Sequence, residues 1–379
     1  MDRLRSGCED RLLIPWASPL AQYSAHKTAI QAAVTRVLES GVYVLGNEVD
    51  TFERAFASSC GVSQGVGVGS GTDALILALR ALGIGPGDEV ITVSHTALAT
   101  VAAVVATGAT PVLVDVDPVF YTMDAAAIER AATSRTKAII AVHIYGQSAD
   151  MDAIIAVAGS LGIPVVEDCA QAAGGKYGSH ALGGIGAVGC FSFYPTKNLG
   201  AVGDGGMVVT NDMRFATRVR RLRQYGWDES RRTQECGLNS RLDPLQAAIL
   251  KAKLPHLGPD NARRAGIAKR YLEGLARLPV TLPAARANGL HVYHLFVIAC
   301  DNRDGLIAHL AKSGIGATVH YAHPVHRHDG YRERVIIPES GLPVTDRLVE
   351  RIISLPIFPE LPDADVDRVI ASIRSFFSA

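Results

Sequence analysis

Short apolar runs alternate with longer alanine-rich or amphipathic segments between about residues 65 and 168. The apolar runs are rich in valine and isoleucine and nearly continuous, which is typical of strands that are buried on both faces of a parallel sheet. The segments between them have the length of helices. The pattern predicts strands at 65–69, 89–93, 111–115, 137–142 and 164–168, and helices at 73–82, 97–107, 124–132 and 151–160. This order predicts an α/β fold with a mostly parallel sheet flanked by helices.

The alternation becomes less regular after residue 168, and the last third of the chain mixes strands with helices. A chain of 379 residues is longer than one hydrophobic core usually supports. We therefore predict a large domain at 1–255, with an N-terminal arm at about 1–40, and a smaller α+β domain at 256–379. The further predicted strands are 189–193, 205–210, 292–300 and 317–321, and the further predicted helices are 213–224, 243–254, 262–278, 303–312, 345–352 and 364–378.

The composition of the chain gives no indication of a nucleic-acid-binding, secreted or membrane protein. Basic and acidic side chains balance at 37 each, so the chain has no net charge that would indicate binding to nucleic acid or to an anionic membrane. The six cysteines are scattered without CxxC pairs. The first residues lack the apolar core of a signal peptide, and no apolar stretch has the length of a membrane span. We expect a cytoplasmic enzyme that acts on small molecules, with no nucleic-acid or membrane partner.

Polar residues at the predicted strand ends are the first candidates for chemistry, because ligands of open α/β sheets bind there. The segment 69–72 (Gly-Ser-Gly-Thr) joins a strand to a helix, and its free amides could hold a phosphate. An ordinary capped turn is the alternative. Asp168 ends a buried strand and needs a partner there. A pyridinium N–H would serve, although the carboxylate could equally cap the following turn.

Lys197 differs from the other seven lysines of the chain. It follows an apolar strand and precedes a glycine-rich turn, with no acidic residue within six positions on either side. A desolvated amine has a lowered pKa and becomes a nucleophile for Schiff-base formation. The alternative is a lysine that extends from a strand end towards solvent. Asp168, about thirty residues upstream, favours the interpretation as a Schiff-base lysine. His95, after the strand 89–93, could stack on a planar cofactor or could be bound by the backbone alone.

Five ordered motifs resemble the DegT/DnrJ/EryC1/StrS family of sugar aminotransferases, which are fold-type I enzymes that use pyridoxal 5′-phosphate. The resemblance covers roughly residues 14–375. The motifs are SGTDALILALRALGIGPGDEV, HIYGQSADMDAI, VVEDCAQAAGG, FSFYPTKNLGAVGDGG and GLNSRLDPLQAAIL. The resemblance implies the family's fold, with a mostly parallel seven-stranded sheet in the large domain, and transamination as the activity.

The same resemblance implies roles for individual residues. Lys197 would carry the cofactor as a Schiff base and move protons, and Asp168 would pair with the pyridine nitrogen. Asn239 would reach the phosphate in the site of a partner subunit, so a homodimer is expected. The other implied cofactor contacts are Gln171 at the phenolic oxygen, His95 stacked on the ring, and Gly71, Thr72 and Ser192 at the phosphate.

The segment 318–326 resembles a HYxxPxH pattern of relatives that aminate the 3-keto position of nucleotide-linked hexoses. His320, Tyr321 and His326 are therefore expected to contact the sugar or its diphosphate, and Tyr43 to line the neighbouring site. The expected substrates are L-glutamate as amino donor and a dTDP- or UDP-linked 3-keto-hexose as acceptor. Metal binding by these histidines is the rival interpretation, but no carboxylate or thiolate accompanies them at ligand spacing, so we predict no metal.

Two alternatives to this function remain open. The first keeps the cofactor but changes the acceptor to a 4-keto sugar or a cyclitol. The second is a non-catalytic relative that acts as a regulator or scaffold. The presence of Lys197, Asp168 and Gln171 together argues against the second, and the lysine also argues against a dehydratase, because dehydratases of the family have histidine at that position.

Overall fold

The computed structural model describes residues 13–378. Residues 1–12 and 379 lie outside the described residues, so the start of the expected N-terminal arm, with Cys8, is not covered. The strands of the described chain are β1 (Gln64–Val68), β2 (Glu89–Val93), β3 (Thr110–Val114), β4 (Thr136–Val142), β5 (Val165–Asp168), β6 (Lys176–Tyr177), β7 (His180–Ala181), β8 (Val188–Ser192), β9 (Gly206–Thr210), β10 (Gly289–Leu290), β11 (Phe296–Ala299) and β12 (Ile352–Leu355).

Helices occupy most of the chain between these strands. The α-helices of the described chain are α1 (Pro19–Ala25), α2 (Lys27–Ser40), α3 (Asn47–Ser59), α4 (Gly71–Ala81), α5 (Leu98–Thr107), α6 (Ala125–Ala131), α7 (Met151–Leu161), α8 (Met213–Leu222), α9 (Pro244–Lys253), α10 (Leu257–Leu275), α11 (Arg303–Lys312), α12 (Pro343–Val349) and α13 (Asp363–Ser378). Short 3-10 helices lie at Ile144–Gly146, Leu254–His256 and Val325–Arg327.

The large sheet has seven strands in the order β1-β9-β8-β5-β4-β2-β3. Strand β9 runs antiparallel to both of its neighbours, and the remaining neighbours pair in parallel. The valine- and isoleucine-rich strands of this sheet are almost wholly buried, as expected for a sheet that is covered on both faces. The predicted fold class is therefore confirmed.

Local sequence signals explain where several helices of this domain begin. The side chains of Ser70, Asp124, Asp150 and Asp212 stand at the N-caps of α4, α6, α7 and α8 and accept hydrogen bonds from first-turn amides. These short polar side chains satisfy donors that have no partner within the helix. The N-termini of α4, α6 and α7 lie near the carboxyl edge of the parallel strands, whereas α8 follows the antiparallel strand β9 and begins at the opposite edge.

A second hydrophobic cluster lies in the C-terminal part of the chain. It includes Tyr271 of α10 and Phe296 of β11, whose ring centroids are 5.0 Å apart. Ile14 from the N-terminal segment also belongs to this cluster. The amide of Ile14 donates to the carbonyl of Gly314, so the N-terminal segment packs on this cluster. The boundary near residue 255 stays a prediction.

Two predictions for the C-terminal part are wrong. Residues 317–321 do not form a strand, because only Thr318 pairs, through an isolated bridge to Ser354. The helix predicted at 345–352 ends at Val349, and Ile352 instead begins β12, which pairs antiparallel with β11. The apolar run of β12 is buried throughout, and such a short buried run has the same pattern in a helix as in a strand.

No helix within residues 13–378 has the length and apolar character needed to cross a membrane.

Candidate active site

The candidate site lies at one edge of the sheet. Strands β2, β4, β5 and β8 are parallel neighbours, so their carboxyl ends meet at this edge. His95 follows β2, Tyr145 follows β4, Asp168 ends β5 and Ser192 ends β8. The strand order thus brings together side chains that are up to about a hundred residues apart in the sequence, as the strand-end argument predicts.

Asp168 is buried at the end of β5 and is held by two donors. The hydroxyl of Thr100 donates to Oδ2 at 2.8 Å, and the amide of Ala170 donates to Oδ1 at 3.1 Å. Burial raises the pKa of this carboxyl, and the bonds from Thr100 and Ala170 oppose the rise. Thr100 lies in the first turn of α5 and contacts the hydroxyl of Thr96 at 2.8 Å. Sequence reasoning missed Thr100, because one threonine in an apolar helix carries no signal.

Lys197 lies in the turn that follows β8. Its amide donates to the carbonyl of Tyr194 at 2.8 Å, which shapes the turn. Burial lowers the pKa of the Lys197 amine to about 8, and the negative charge of Asp168 opposes this effect. The amine makes no hydrogen bond or ion pair with any residue in the described part of the chain. It is therefore an amine of reduced basicity that is available to react.

The N-terminus of α4 offers a place for an anion. Ser70 caps the helix by accepting from the amide of Asp73 at 3.1 Å. The amides of Gly71 and Thr72 donate to none of the residues 13–378. Ser192 lies against this turn, since a Cβ on Gly71 would come within 2.6 Å of the Ser192 Cβ. Two free amides at a positive helix end, beside a hydroxyl, are suited to a phosphate group.

His95 and Gln171 are joined through Tyr145, which sequence reasoning missed although it follows a strand end. The Nε2 atom of His95 lies 2.6 Å from the Tyr145 hydroxyl. The amide of Tyr145 donates to Oε1 of Gln171 at 2.6 Å, and Nε2 of Gln171 donates to the Tyr321 hydroxyl at 2.8 Å. Burial lowers the pKa of His95 to about 4, so its ring is neutral at neutral pH.

The C-terminal segment predicted to bind the sugar reaches this site. Besides the bond from Gln171 to Tyr321, the Tyr145 hydroxyl donates to the carbonyl of His320. The His320 ring contacts Ser354 Oγ at 2.9 Å and lies 5.1 Å from the Trp16 ring. Burial, and then the charge of Lys197, lower the pKa of His320 to about 4. His320 and Tyr321 therefore lie on the same side of the sheet as the cofactor candidates.

His326 is placed differently from its two neighbours in the motif. Its Nδ1 atom lies 2.7 Å from Ser94 Oγ, and its Nε2 atom lies 3.1 Å from a carboxylate oxygen of Asp346. Both ring nitrogens are thus engaged by the protein, and the ring ties α12 to the end of β2. The expected contact of His326 with the sugar stays a prediction. In the structure, His326 instead contacts Ser94, the residue before His95.

Asn239 and Tyr43 are exposed, and within residues 13–378 neither side chain forms a hydrogen bond with the site residues described above. The neighbouring Ser240 anchors the segment of Asn239, because its hydroxyl accepts from the amide of Gly69 at 3.0 Å and donates to Asp73 at 2.8 Å. Tyr43 is 55% exposed between two exposed valines and donates to the carbonyl of Leu38. The contacts expected from both residues towards a partner subunit stay predictions.

A buried group of His143, Glu167 and Cys169 has metal-ligand atoms within 4.8 Å of one another. The Glu167 carboxylate already accepts from His143 and from the amides of Gly183, Ile185 and Gly186. The other ring nitrogen of His143 accepts from the amide of Ala149, and burial raises the pKa of the Cys169 thiol well above its ordinary value. These contacts show that both ring nitrogens of His143 and both oxygens of Glu167 already have hydrogen-bond partners within the protein, as in a buried structural network beside β5.

The donor set fits pyridoxal 5′-phosphate. The free amides at α4 suit its phosphate, the Asp168 carboxylate suits a protonated ring nitrogen, and the Lys197 amine suits its aldehyde. The fold and this set of residues define the class of fold-type I pyridoxal-phosphate enzymes. Within that class, the profile of the DegT/DnrJ/EryC1/StrS aminotransferase family matches residues 24–374, and the chain belongs to this family. The predicted family is therefore confirmed.

Known relatives match the chain over nearly its whole length. It is 45% identical to dTDP-3-amino-3,4,6-trideoxy-alpha-D-glucose transaminase of Streptomyces venezuelae, over 96% of both chains. It is also 45% identical to UDP-N-acetyl-3-dehydro-alpha-D-glucosamine 3-aminotransferase of Acidithiobacillus ferrooxidans, over 95% of this chain and 97% of the relative. The crystal structure of S. venezuelae DesV in complex with a ketimine intermediate superposes with a TM-score of 0.94, at 45% identity, over 97% of this chain and 99% of DesV.

Proposed function

We propose that this protein is a pyridoxal-phosphate-dependent aminotransferase that moves an amino group from L-glutamate to the 3-keto position of a nucleotide-linked hexose. The observation that carries the proposal is the placement of Lys197, Asp168 and the free amides of α4 at one edge of the sheet. Relatives that are 45% identical are transaminases of dTDP- and UDP-linked sugars aminated at the 3-position, which supports the acceptor class.

Individual residues would hold the cofactor as follows. Gly71, Thr72 and Ser192 bind the phosphate, and Asp168 keeps the ring nitrogen protonated through its carboxylate. His95 would cover one face of the ring, and Gln171 would lie near the phenolic oxygen. When bound, the cofactor supplies an electron sink for negative charge on the carbon beside the transferred nitrogen.

Lys197 would carry out the proton transfers. Its Nζ atom would hold the cofactor between turnovers and, once released, would take a proton from a substrate carbon and later give it back. A pKa of about 8, lowered by burial, leaves about a tenth of the amine unprotonated at pH 7, far more than in an ordinary lysine. Such a pKa suits a group that must act as base and acid in turn.

The substrate and the assembly are the less direct parts of the proposal. His320 and Tyr321 contact the acceptor sugar, because they border the residues that hold the cofactor. Tyr43 and the exposed Asn239 complete the site of a second subunit in a homodimer. We also propose a cytoplasmic location, since the described cysteines are all free thiols, which suit a reducing compartment.

The test is a direct assay with the purified protein, L-glutamate and a panel of dTDP- and UDP-linked sugars that carry the keto group at C3 or at C4. Mass spectrometry of the sugar product and measurement of 2-oxoglutarate report the reaction, and Lys197→Ala serves as the inactive control. We expect amination of a 3-keto sugar. Amination of 4-keto sugars alone would refute the position, and no amination with any acceptor would refute the function.

A further inference from the structure

Tyr145 is a buried tyrosine with an unusual backbone. It lies in the short 3-10 helix after β4 with φ 60° and ψ 4°, which is the left-handed region that non-glycine residues rarely adopt. This conformation costs free energy, and such residues persist where surrounding contacts hold them. Here the amide of Tyr145 points at Gln171, and its side chain reaches His95.

The hydrogen bonds around the Tyr145 hydroxyl determine which ring nitrogen of His95 carries a proton. A tyrosine hydroxyl has one hydrogen, and here it is donated to the carbonyl of His320, which can only accept. The Nε2 atom of His95, 2.6 Å away, must then be the donor to the hydroxyl oxygen. This places the proton of His95 on Nε2.

The other ring nitrogen agrees with this assignment. Nδ1 of His95 is buried and has no partner among the described residues, and the whole side chain is 1% exposed. A proton on Nδ1 would leave a buried donor unpaired, and a charged ring would leave a buried charge unpaired as well. A bare acceptor nitrogen is the least costly of these states, and burial, by lowering the pKa of His95, acts in the same direction.

We propose that Tyr145 is a positioning residue that holds His95 as its neutral Nε2–H tautomer and links that ring to the His320–Tyr321 segment. The link has two branches, because the Tyr145 hydroxyl binds the His320 carbonyl and its amide binds Gln171, which donates to Tyr321. A ligand that moves the His320–Tyr321 segment would thereby reorient His95. The catalytic meaning of this link rests on the proposed function, whereas the proton position does not.

The test is nitrogen-15 NMR of the full-length protein with labelled histidine, in which protonated and bare ring nitrogens have distinct chemical shifts. The variants His95→Gln and His320→Gln assign the two rings. We expect His95 to be protonated on Nε2 and bare on Nδ1 at neutral pH. In Tyr145→Phe, we expect this single tautomer to be replaced by a mixture and the His320 signals to shift.

The matched control is Tyr271→Phe, because Tyr271 is also buried and donates to a backbone carbonyl, that of Pro356, at 2.9 Å. This variant is expected to leave both histidines unchanged. In Ser354→Ala, which loosens the far side of the His320 ring, His95 is expected to keep its tautomer.

Several outcomes would overturn the inference. A wild-type His95 that is protonated on Nδ1, or on both nitrogens, would refute the tautomer even if Tyr145→Phe did not fold. A folded Tyr145→Phe with unchanged His95 would refute the role of Tyr145, and unchanged His320 signals would refute the link. A wild-type protein with the expected tautomer that aminates no keto-sugar would instead refute the proposed function and leave this inference standing.

Discussion

At the scale of single residues, the Asp168 carboxylate depends on a donor from another element. Burial raises its pKa, and the Thr100 hydroxyl opposes that rise through a 2.8 Å bond to Oδ2. We predict that Thr100→Val raises the pKa of Asp168 further and weakens cofactor binding. A hydrogen bond to a charged group contributes about 1.5 kcal/mol or more. The cofactor dissociation constant should therefore rise on the order of tenfold, as measured by absorbance titration.

Thr107→Val is the matched control for this prediction. Thr107 is a buried threonine at the other end of the same helix, where its hydroxyl donates to the carbonyl of Val104. The Thr107→Val variant loses the same atoms as Thr100→Val, but its position lies away from Asp168, so cofactor binding should be unchanged. Equal effects of the two variants would show that Thr100 acts only through the stability of α5.

Residues at strand ends could be predicted from the sequence, and residues that act through them could not. Asp168 is recognisable because a charged group ends an apolar strand, and Lys197 because a charged group lies in the turn after one. Tyr145 also follows a strand, but its contacts depend on a left-handed backbone that no local pattern indicates. The role of His326 depends on Ser94 and Asp346, which lie far from it in the sequence.

At the scale of secondary-structure elements, a buried ion pair joins α3, β1 and the end of α8. The guanidinium of Arg223 donates to Glu53 and to the carbonyl of Gly67, and Glu53 accepts from the amide of Gly67 at 2.8 Å. We predict that Glu53→Gln lowers the free energy of unfolding by about 3 kcal/mol, because it leaves a buried guanidinium without its counter-charge. Denaturant unfolding measures the change.

The exposed pair of Lys269 and Glu273 on α10 is the comparison. Glu273→Gln should change the free energy of unfolding by about 0.5 kcal/mol or less, because solvent screens exposed pairs. If the loss in Glu53→Gln were as small as that, the pair would not hold these three elements together.

Periodicity predicted the elements between residues 64 and 168 better than those of the C-terminal part. The length of α10 favours a helix, and β2 and β4 belong to a repeated alternation of apolar runs with segments of helical length, which favours strands. Short apolar runs such as that of β12 pack against the core in either conformation, so tertiary pairing with β11 decides. The antiparallel direction of β9 likewise follows from its position in the sheet and has no local signal.

At the scale of the whole molecule, buried neutral histidines make stability depend on pH. Burial lowers the pKa of His95 to about 4 and of His291 to about 3, against an ordinary value of 6.5. The unfolded chain therefore binds more protons below pH 6.5, so stability is lost as pH falls from 6.5 towards the folded pKa values. Between pH 7 and pH 5, each of the two histidines should lower the free energy of unfolding by about 2 kcal/mol.

The variant His291→Gln tests this dependence. Denaturant unfolding at a series of pH values should show an acid loss that is smaller than in the wild type by about 2 kcal/mol. His180→Gln is the control, since His180 is exposed and its ring is solvated in the folded and unfolded states alike. A wild-type unfolding free energy that stays level between pH 7 and 5 would contradict the prediction.

The proposed homodimer makes a different prediction at this scale. If Asn239 completes the site of the partner subunit, Lys197→Ala and Asn239→Ala should each impair every site in their own dimers. A hybrid dimer of the two variants would place both defects in one site and leave the other site intact. Subunit exchange between the two impaired variants should raise transaminase activity above that of either variant alone. If exchange occurred without recovery, Asn239 would act within its own subunit.

Lys197 is proposed to carry the cofactor, and chemical trapping can locate that bond. The protein is incubated with pyridoxal 5′-phosphate and reduced with borohydride, and the modified peptide is identified by mass spectrometry. Lys253 provides an internal control, because burial lowers its pKa to about 8 as well, while its amine is bound to Gln22 and Gly200. We predict a stable pyridoxyl adduct on Lys197 alone. An adduct on Lys253 or on another lysine, or no adduct at all, would contradict the proposed role of Lys197.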